Sequence, residues 1–191
     1  MKRTLPTLPG NAPARPGRGH GDGRGRGRGS DHPIPPQERP PLDQQVIAIA
    51  HHQQPSAAHK LAVQLCAALV REGVEVAALV SIDAPAGAAD AQVALAELIE
   101  AGARQATMLR RPDKEAAEAV QRALAQLAGS RFVLALGNTL PQLFRPYFTV
   151  VVTGHRRMLA DAGPLVLQAE LEVTAPSEEL ATLLARRIQQ L

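Results

Sequence analysis

The sequence predicts an α/β fold of three layers, in which a parallel β-sheet carries helices on both faces. Apolar runs of strand length alternate with stretches in which apolar residues recur at helical spacing, and this order favours parallel strands joined by crossover helices. The first run, 46–50, is continuously apolar, as expected for a strand buried on both faces. The chain is rich in Ala, Leu and Val and only 2% aromatic, which suits close packing of helix on sheet.

The first predicted helix has a start signal, a stop signal and one apolar face. Ser56 is its candidate N-cap and Gly73 its stop, so we expect it to span about 57–72. Three leucines recur on one face of it: Leu61, Leu65 and Leu69.

The central elements repeat this alternation. Further apolar strands are expected at 74–82, 105–109, 132–136 and 148–153. Asp90 is the candidate cap of a helix that runs to 101, and Asp113 of one that runs to about 128. Their apolar positions at helical spacing are Leu95 and Ile99 in the first, and Ala117, Val120, Leu124 and Leu127 in the second.

The C-terminal part is predicted to hold one more strand and a final helix. Residues 165–173 alternate imperfectly and indicate an edge strand or a hairpin. Ser177 is the candidate cap of the last helix. The helix dipole favours its charge distribution, with Glu178 and Glu179 in the first turn and Arg186 and Arg187 near the end.

Composition divides the chain into two parts. Residues 1–44 contain 8 of the 15 glycines and 9 of the 16 prolines, with no aromatic residue. Such a segment buries too little apolar surface to offset its ordering entropy, so we expect a disordered Arg/Gly- and Pro-rich tail. Residues 45–191 are long enough for one α/β domain with a single core.

The positive charge of the chain belongs mostly to that tail. The formal net charge is +3, and the basic residues of 1–44 outnumber the acidic ones, so the predicted domain is near neutral or slightly acidic. The only cysteine, Cys66, excludes an intramolecular disulfide and suits a reducing compartment. Since no apolar stretch has the length of a signal peptide core or a membrane span, we expect a cytoplasmic protein without a membrane partner.

Arginine and glycine alternate at 17–19 and again at 23–29, and these residues form a low-complexity run. Interspersed arginines can attract RNA or acidic proteins by neutralising phosphate or carboxylate charge. Residues 1–44 contain no aromatic side chain that could stack on bases. Nucleic acid is therefore not the expected partner, and a poorly ordered extension is the alternative.

The residues that follow the first strand occupy the position of a phosphate-binding loop. A loop of the form GxxxxGK[ST] uses glycines to wrap backbone N–H groups round a phosphate, a lysine for its charge and a hydroxyl for magnesium. Here no residue between 51 and 60 is glycine, and Leu61 follows Lys60 where the hydroxyl would stand. Hydrolysis of ATP or GTP is therefore not expected, although a helix N-terminus still favours an anion. The candidate ligand-binding residues are His51, His52, Ser56, His59 and Lys60.

The three histidines of this segment do not have the spacing of a metal site. His51 and His52 are adjacent and His59 follows seven residues later, without a cysteine, which matches no standard zinc pattern. Solvated or capping histidines are the preferred interpretation, and no metal ligand is predicted.

Polar residues also follow the other strands, and ligands of parallel sheets bind beyond these carboxyl ends. Asp83 is a candidate for coordinating magnesium or orienting a ligand hydroxyl, whereas Gly137 permits close backbone approach. The remaining candidates are Arg110, Arg111, Asn138, Thr139, His155 and Arg156. A helix cap at 140–145 is the alternative role for Asn138 and Thr139. The basic residues would make this edge positive, which suits a phosphate, a carboxylate or an acidic partner.

The order of these features resembles the MobB-type P-loop proteins, which are GTP-binding adapters of molybdopterin-guanine dinucleotide synthesis. The resemblance covers 46–152 and rests on Arg71-Glu72-Gly73 before the second strand, on the Asp90 helix that ends in Glu100-Ala101-Gly102-Ala103, and on Leu136-Gly137 after the strand at 132. It implies a P-loop NTPase-like fold. Two positions depart from the family: the glycine-rich loop is absent, and Leu136 stands where an acidic residue is found.

Three functions are compatible with the sequence. The first is a non-catalytic or weakly nucleotide-binding accessory protein, which by the resemblance would act in molybdenum cofactor or metalloenzyme maturation. It would have GTP or a molybdopterin-type compound as ligand, a cofactor-synthesis enzyme or metalloenzyme as partner, and a homodimeric state. The second is an active nucleotide-dependent enzyme with a non-standard phosphate loop. The third is an interaction module whose tail recruits nucleic acid or acidic partners.

Overall fold

The computed structural model describes residues 42–52, 54–82, 88–110, 115–154 and 169–191. Within these residues six strands and five helices are present. The strands are β1 (Gln45–His52), β2 (Val76–Ile82), β3 (Gln105–Arg110), β4 (Phe132–Leu136), β5 (Phe148–Thr153) and β6 (Leu171–Val173). The helices are α1 (Pro55–Arg71), α2 (Ala88–Glu100), α3 (Ala116–Gln126), α4 (Thr139–Leu143) and α5 (Glu178–Gln189).

The strands form one sheet in the order β3-β2-β4-β1-β5-β6, and every strand pair is parallel. Because parallel neighbours need a crossover connection, this order requires helices above and below the sheet. Helices cover both faces, so the predicted three-layer α/β fold is confirmed. Of the segment predicted at 165–173, residues 165–168 lie outside the described residues, and 171–173 form β6 at the end of the sheet order. β6 pairs in parallel with β5, which excludes a hairpin of β6 with β5.

β1 lies at the centre of the sheet and is buried on both faces. Five of its eight residues, Val46 to Ala50, are fully buried. Ile47 and Ile49 belong to a core cluster with α1, α2 and α5, whereas Val46 and Ala48 belong to a second cluster with α3 and α4. This alternation follows from the two-residue period of a strand. We call these two sides the α1 face and the α3 face.

The α1 face is covered by a layer of three helices. Leu61, Leu65 and Leu69 of α1 are fully buried, as the helical spacing predicts. In α2 the core position is Leu98, while Ile99 is 46% exposed. The predicted pair Leu95 and Ile99 therefore shares a flank of α2 but does not form its buried centre, because the centre of the stripe runs through Ala91, Ala94 and Leu98.

The α3 face is covered by α3 and the short α4. Val120, Leu124 and Leu127 are buried as predicted, but Ala117 is exposed. The helical stripe that contacts the sheet thus begins one turn later than the sequence suggested.

Of the four predicted helix caps, Ser177 is confirmed. Ser56 lies inside the first turn of α1, whose N-cap is Gln54, and Asp90 lies in the first turn of α2. Ser177 caps α5 as predicted, since its Oγ accepts a hydrogen bond of 3.2 Å from the backbone N–H of Leu180. Asp113 lies outside the described residues, and the N-cap of α3 is Glu115 instead, because this helix begins only at Ala116.

In the part of the chain that the structure describes, none of the helices combines the length and apolar character that crossing a membrane requires.

The thiol of Cys66 is buried between α1 and α2. Its Sγ lies 3.7 Å from the carbonyl oxygen of Leu98. Burial raises the pKa of this thiol from 9.0 to about 11, against a smaller lowering by a backbone hydrogen bond with Ala103. The neutral thiol is therefore the form that the folded protein favours.

We expect Cys66 to resist alkylation while the protein is folded and to react rapidly in denaturant, because only the exposed thiolate is nucleophilic. Folding raises the pKa of the Cys66 thiol. The contribution of the protonated thiol to the free energy of unfolding is therefore fully present below pH 9.0 and is lost as pH rises through about 11. Mass spectrometry after a timed exposure to iodoacetamide measures the first effect, and chemical denaturation across this pH window measures the second. Equal labelling rates with and without denaturant would contradict the burial.

Candidate ligand site

β1 extends further toward the carboxyl edge than the sequence predicts. His51 and His52, expected in a loop, are the last two residues of the strand and pair with Val152 and Thr153 of β5. α1 begins at Pro55, so only residues 53 and 54 connect the strand to the helix. Such a connection is shorter than the run of backbone N–H groups with which a glycine-rich loop encloses a phosphate.

The N-terminus of α1 lies at this edge and has no side-chain cap. Gln54 is the N-cap residue but accepts no hydrogen bond through its side chain, Pro55 follows it, and the first turn contains no acidic residue. Ser56 is exposed. The N–H groups of Ser56 and Ala57 have no acceptor within the helix, and the helix dipole is positive here. This helix start is therefore suited to an anion.

The side chain of Gln54 extends toward β5 and lies against Gly154, which directly follows that strand. A Cβ atom on Gly154 would lie 2.9 Å from Gln54 Nε2, so a larger residue would displace this amide. Gln54 thus connects the start of α1 to the end of β5. Its position directly before Pro55 is the sequence signal that marks Gln54 as an N-cap.

Asn138 binds the backbone of β1. Its Oδ1 accepts a hydrogen bond of 3.0 Å from the backbone N–H of His51, and its Nδ2 donates one of 3.1 Å to the carbonyl oxygen of His51. The amide thereby continues the ladder between β1 and β4 beyond Gly137, whose N–H donates to the carbonyl oxygen of Ile49 at 3.0 Å. The side chain that the sequence offered as a ligand contact holds the central strand in register.

Gly137 is required for packing against β2. Its φ of +118° is in a region that favours glycine, and an added Cβ would overlap Ser81 Oγ and lie 3.2 Å from Ser81 Cβ. The close approach predicted at Gly137 is thus made to Ser81, a residue that sequence reasoning missed inside an apolar run. The helix expected at 140–145 begins at Thr139, which is 2% exposed, and its N-cap residue Asn138 makes no side-chain cap hydrogen bond.

On the α3 face, His52 lies beside a hydrogen-bonded pair of side chains. Its register partner Thr153 donates from Oγ1 to Glu172 Oε1 of β6 at 2.9 Å. The Nε2 atom of His52 is buried and makes no hydrogen bond to any part of the chain that the structure describes. Glu172 was not predicted, because the pairing of β6 beside β5 is a tertiary feature.

Three predicted basic candidates are described: His59 and Lys60 lie on α1, and Arg110 lies at the carboxyl end of β3. His59 faces α2, where its Nε2 is 3.1 Å from Glu97 Oε2 and can form an ion pair when protonated, although the alignment is not that of a hydrogen bond. Arg110 is exposed at the end of β3, which β2 and β4 separate from β1. Lys60 is exposed on α1. The described residues therefore do not gather these side chains into one basic surface.

Four other predicted residues, Asp83, Arg111, His155 and Arg156, lie outside the described residues. Among those that are described, no group of three or more His, Cys, Asp or Glu side chains is arranged to hold a metal ion.

No protein-family model matches the chain, and no curated protein matches it. Solved structures do align with it. One is the signal recognition particle 54 kDa protein from Aeropyrum pernix K1 in complex with GDP, at 20% identity and a TM-score of 0.49, over 82% of this chain and 42% of that one. Another is a de novo designed protein with the P-loop NTPase fold, at 11% identity and a TM-score of 0.47, over 78% of this chain and 93% of that one.

The chain spans less than half the length of the first of these structures. These two likenesses are of backbone alone.

Substitution of Gly137 by Ala is expected to destabilise the protein more than the same change at Gly129. Both glycines have φ of +118°, but a Cβ at Gly129 meets nothing within 4 Å. Gly129→Ala therefore measures backbone strain, about 1–3 kcal/mol, and Gly137→Ala adds an overlap of about 1–3 kcal/mol. Chemical denaturation measures both. The added cost should shrink in a Ser81→Gly background, and equal costs for the two glycines would refute the close contact.

Loss of the Asn138 amide is expected to cost about 1–3 kcal/mol, because Asn138→Ala leaves a backbone N–H and a carbonyl of His51 without these partners. Asn138→Asp keeps an acceptor for the N–H but sets a carboxylate oxygen beside the His51 carbonyl, so it should not restore stability. Hydrogen exchange at the His51 amide reports the contact directly. Unchanged protection in Asn138→Ala would show that this bond does not hold the strand end.

Proposed function

We propose that this protein is a P-loop-like accessory protein that binds the phosphate of a nucleotide weakly at the start of α1 and does not hydrolyse it. The observation that carries the proposal is the junction of β1 and α1. An uncapped helix N-terminus lies at the carboxyl edge of a parallel sheet, yet only two residues connect it to the strand.

Binding of an anion is supported by the electrostatics of this junction. The helix dipole and the N–H groups of Ser56 and Ala57 attract negative charge. No acidic side chain in the first turn competes for these groups. Ligands of open parallel sheets bind beyond the carboxyl ends of the strands, which is where this helix begins.

The absence of hydrolysis is supported by the residues at the positions that handle magnesium. If Lys60 is aligned with the lysine of a phosphate loop, the magnesium hydroxyl falls on Leu61, which is fully buried in the core. Leu136, where the MobB-type resemblance implies an acidic residue, is an apolar side chain that is 8% exposed. Neither residue has an oxygen atom with which to hold a hard cation.

The biological setting of the proposal rests on the MobB-type resemblance. We propose a role in the maturation of the molybdenum cofactor or of another metalloenzyme. GTP or a molybdopterin-type compound is then the expected ligand, and an enzyme of cofactor synthesis or the metalloenzyme itself is the expected partner. The protein would work in the cytoplasm.

Titration calorimetry with GTP, ATP and inorganic phosphate, each with and without magnesium, tests the proposal. We expect weak binding that does not require magnesium. Ser56→Glu should weaken it by roughly twofold to fivefold, because a carboxylate in the first turn then occupies the positive helix end. Ser56→Gln is the matched control, since it has the same size without the charge and should bind like the unmodified protein.

The opposite outcomes identify the alternatives. Equal binding by Ser56→Glu and Ser56→Gln would remove α1 as the site. Magnesium-dependent GTP or ATP turnover that is lost in Lys60→Ala would establish the enzyme instead. Salt-dependent binding of RNA or of an acidic protein that is lost on deletion of 1–44 would support the interaction module.

A further inference from the structure

The side of α2 that faces solvent is largely apolar. Nine of the thirteen residues of this helix are Ala, Val, Leu or Ile, whereas a surface helix normally presents polar residues to water. Val93 is 54% exposed and Ile99 is 46% exposed. In the part of the chain that the structure describes, only two other large apolar side chains are exposed, and both belong to the C-terminal segment that contains α5. Apolar surface of this kind is typical of a site for a binding partner.

The exposed residues of α2 form a continuous row with a different flank on each side. Residues three and four positions apart lie on one face of a helix, and the exposed row at this spacing comprises Ala89, Val93, Ala96 and Glu100. Ile99 lies on the flank that is turned away from α1. Glu97 lies on the other flank, with its Oε2 3.1 Å from His59 Nε2 of α1. We call Val93, Ala96, Glu97, Ile99 and Glu100 the α2 outer face.

The charges of α2 are all negative, and two of them are unfavourable for the helix itself. Asp90, Glu97 and Glu100 are its only ionisable residues. Glu97 and Glu100 lie in the last turn, which contains no basic residue, although the carboxyl end of a helix favours positive charge. α5 follows this preference with Arg186 and Arg187 in its last turn. The end of α2 thus keeps a charge arrangement that a cationic partner would neutralise.

We propose that the α2 outer face docks a partner protein through an amphipathic helix whose apolar stripe is bordered by Lys and Arg side chains. The stripe covers Val93, Ala96 and Ile99, and the cations pair with Glu97 and Glu100. Charge complementarity selects this occupant, because a helix with an acidic border would set like charges against the end of α2. The alanine of the exposed row permits a short distance between the two helix axes. The proposal goes beyond the phosphate site, since it depends on α2 and not on the start of α1.

Fluorescence anisotropy with the full-length protein tests the proposal. The probe is a labelled peptide of Leu and Lys, about 14 residues long, with Leu at helical spacing. The chain has a formal net charge of +3, so a basic peptide is attracted only where the surface is locally acidic. A peptide with Ser in place of Leu has the same charge and should bind at least roughly tenfold more weakly, because it buries little apolar area.

Removal of the apolar side chains tests the stripe. Val93→Gln combined with Ile99→Gln should weaken binding of the Leu/Lys peptide by roughly tenfold, because the apolar area that is buried on docking is lost. The matched control is Leu183→Gln combined with Leu191→Gln, which alters two apolar residues that are each 64% exposed. This control should bind the peptide like the unmodified protein. Far-UV circular dichroism confirms that each variant is folded.

Removal of the carboxylates tests the charged border. Glu97→Gln combined with Glu100→Gln should weaken binding by roughly threefold to tenfold and should reduce its dependence on salt, because screened ion pairs are lost. Glu178→Gln combined with Glu179→Gln removes the same number of charges from α5 and should leave the affinity unchanged.

Three results would overturn the proposal. The first is a Leu/Lys peptide that does not bind, or that binds no better than the Ser/Lys peptide. The second is equal weakening by the variants of α2 and of α5. The third is self-association in light scattering that the changes at Val93 and Ile99 abolish, because the occupant would then be a second copy of the chain. Since no phosphate is present in these measurements, their outcome is separate from that of the titrations at the start of α1.

Discussion

The burial of β1 on both edges and both faces is the constraint on which the rest of this structure depends. β4 and β5 pair with its two edges, and helices cover its two faces. A strand in this position must be apolar at consecutive residues, which Val46 to Ala50 satisfy, and each buried Val or Ile contributes roughly 1.5–3 kcal/mol. Every residue at the carboxyl edge takes its position from the point where this strand stops.

β1 continues for two residues beyond its apolar run. His51 and His52 continue the pairing with β5 because their backbone groups have partners there, and Asn138 supplies further partners from the other side. Pairing of backbone groups therefore extends β1 into polar sequence. The consequence is that only two residues connect β1 to α1, so the N-terminus of α1 lies directly at the carboxyl end of this strand.

A polar side chain near the carboxyl end of a strand can bind a ligand or can stabilise the fold. In this protein several such side chains make contacts that stabilise the fold. Asn138 binds backbone, Gly137 packs on Ser81, Thr153 donates to Glu172, and His59 faces Glu97. Each of these contacts joins residues that are far apart in the chain. A polar residue after a strand is therefore a weak indicator of a ligand site until its partner is known. The N-terminus of α1 gains weight because the side chain of its N-cap residue, Gln54, makes no cap hydrogen bond.

The sequence alone determined the layers of this protein, since continuous apolar runs and helical spacing reflect burial, and burial is recorded in residue type. It also determined the cap at Ser177 and the buried leucines of α1, which depend on neighbours within a few residues. Only the tertiary structure decided the strand order, the end of β1, and the partners of Asn138, His59 and Glu172. Those depend on hydrogen bonds and packing between distant segments, for which a single sequence contains no local signal.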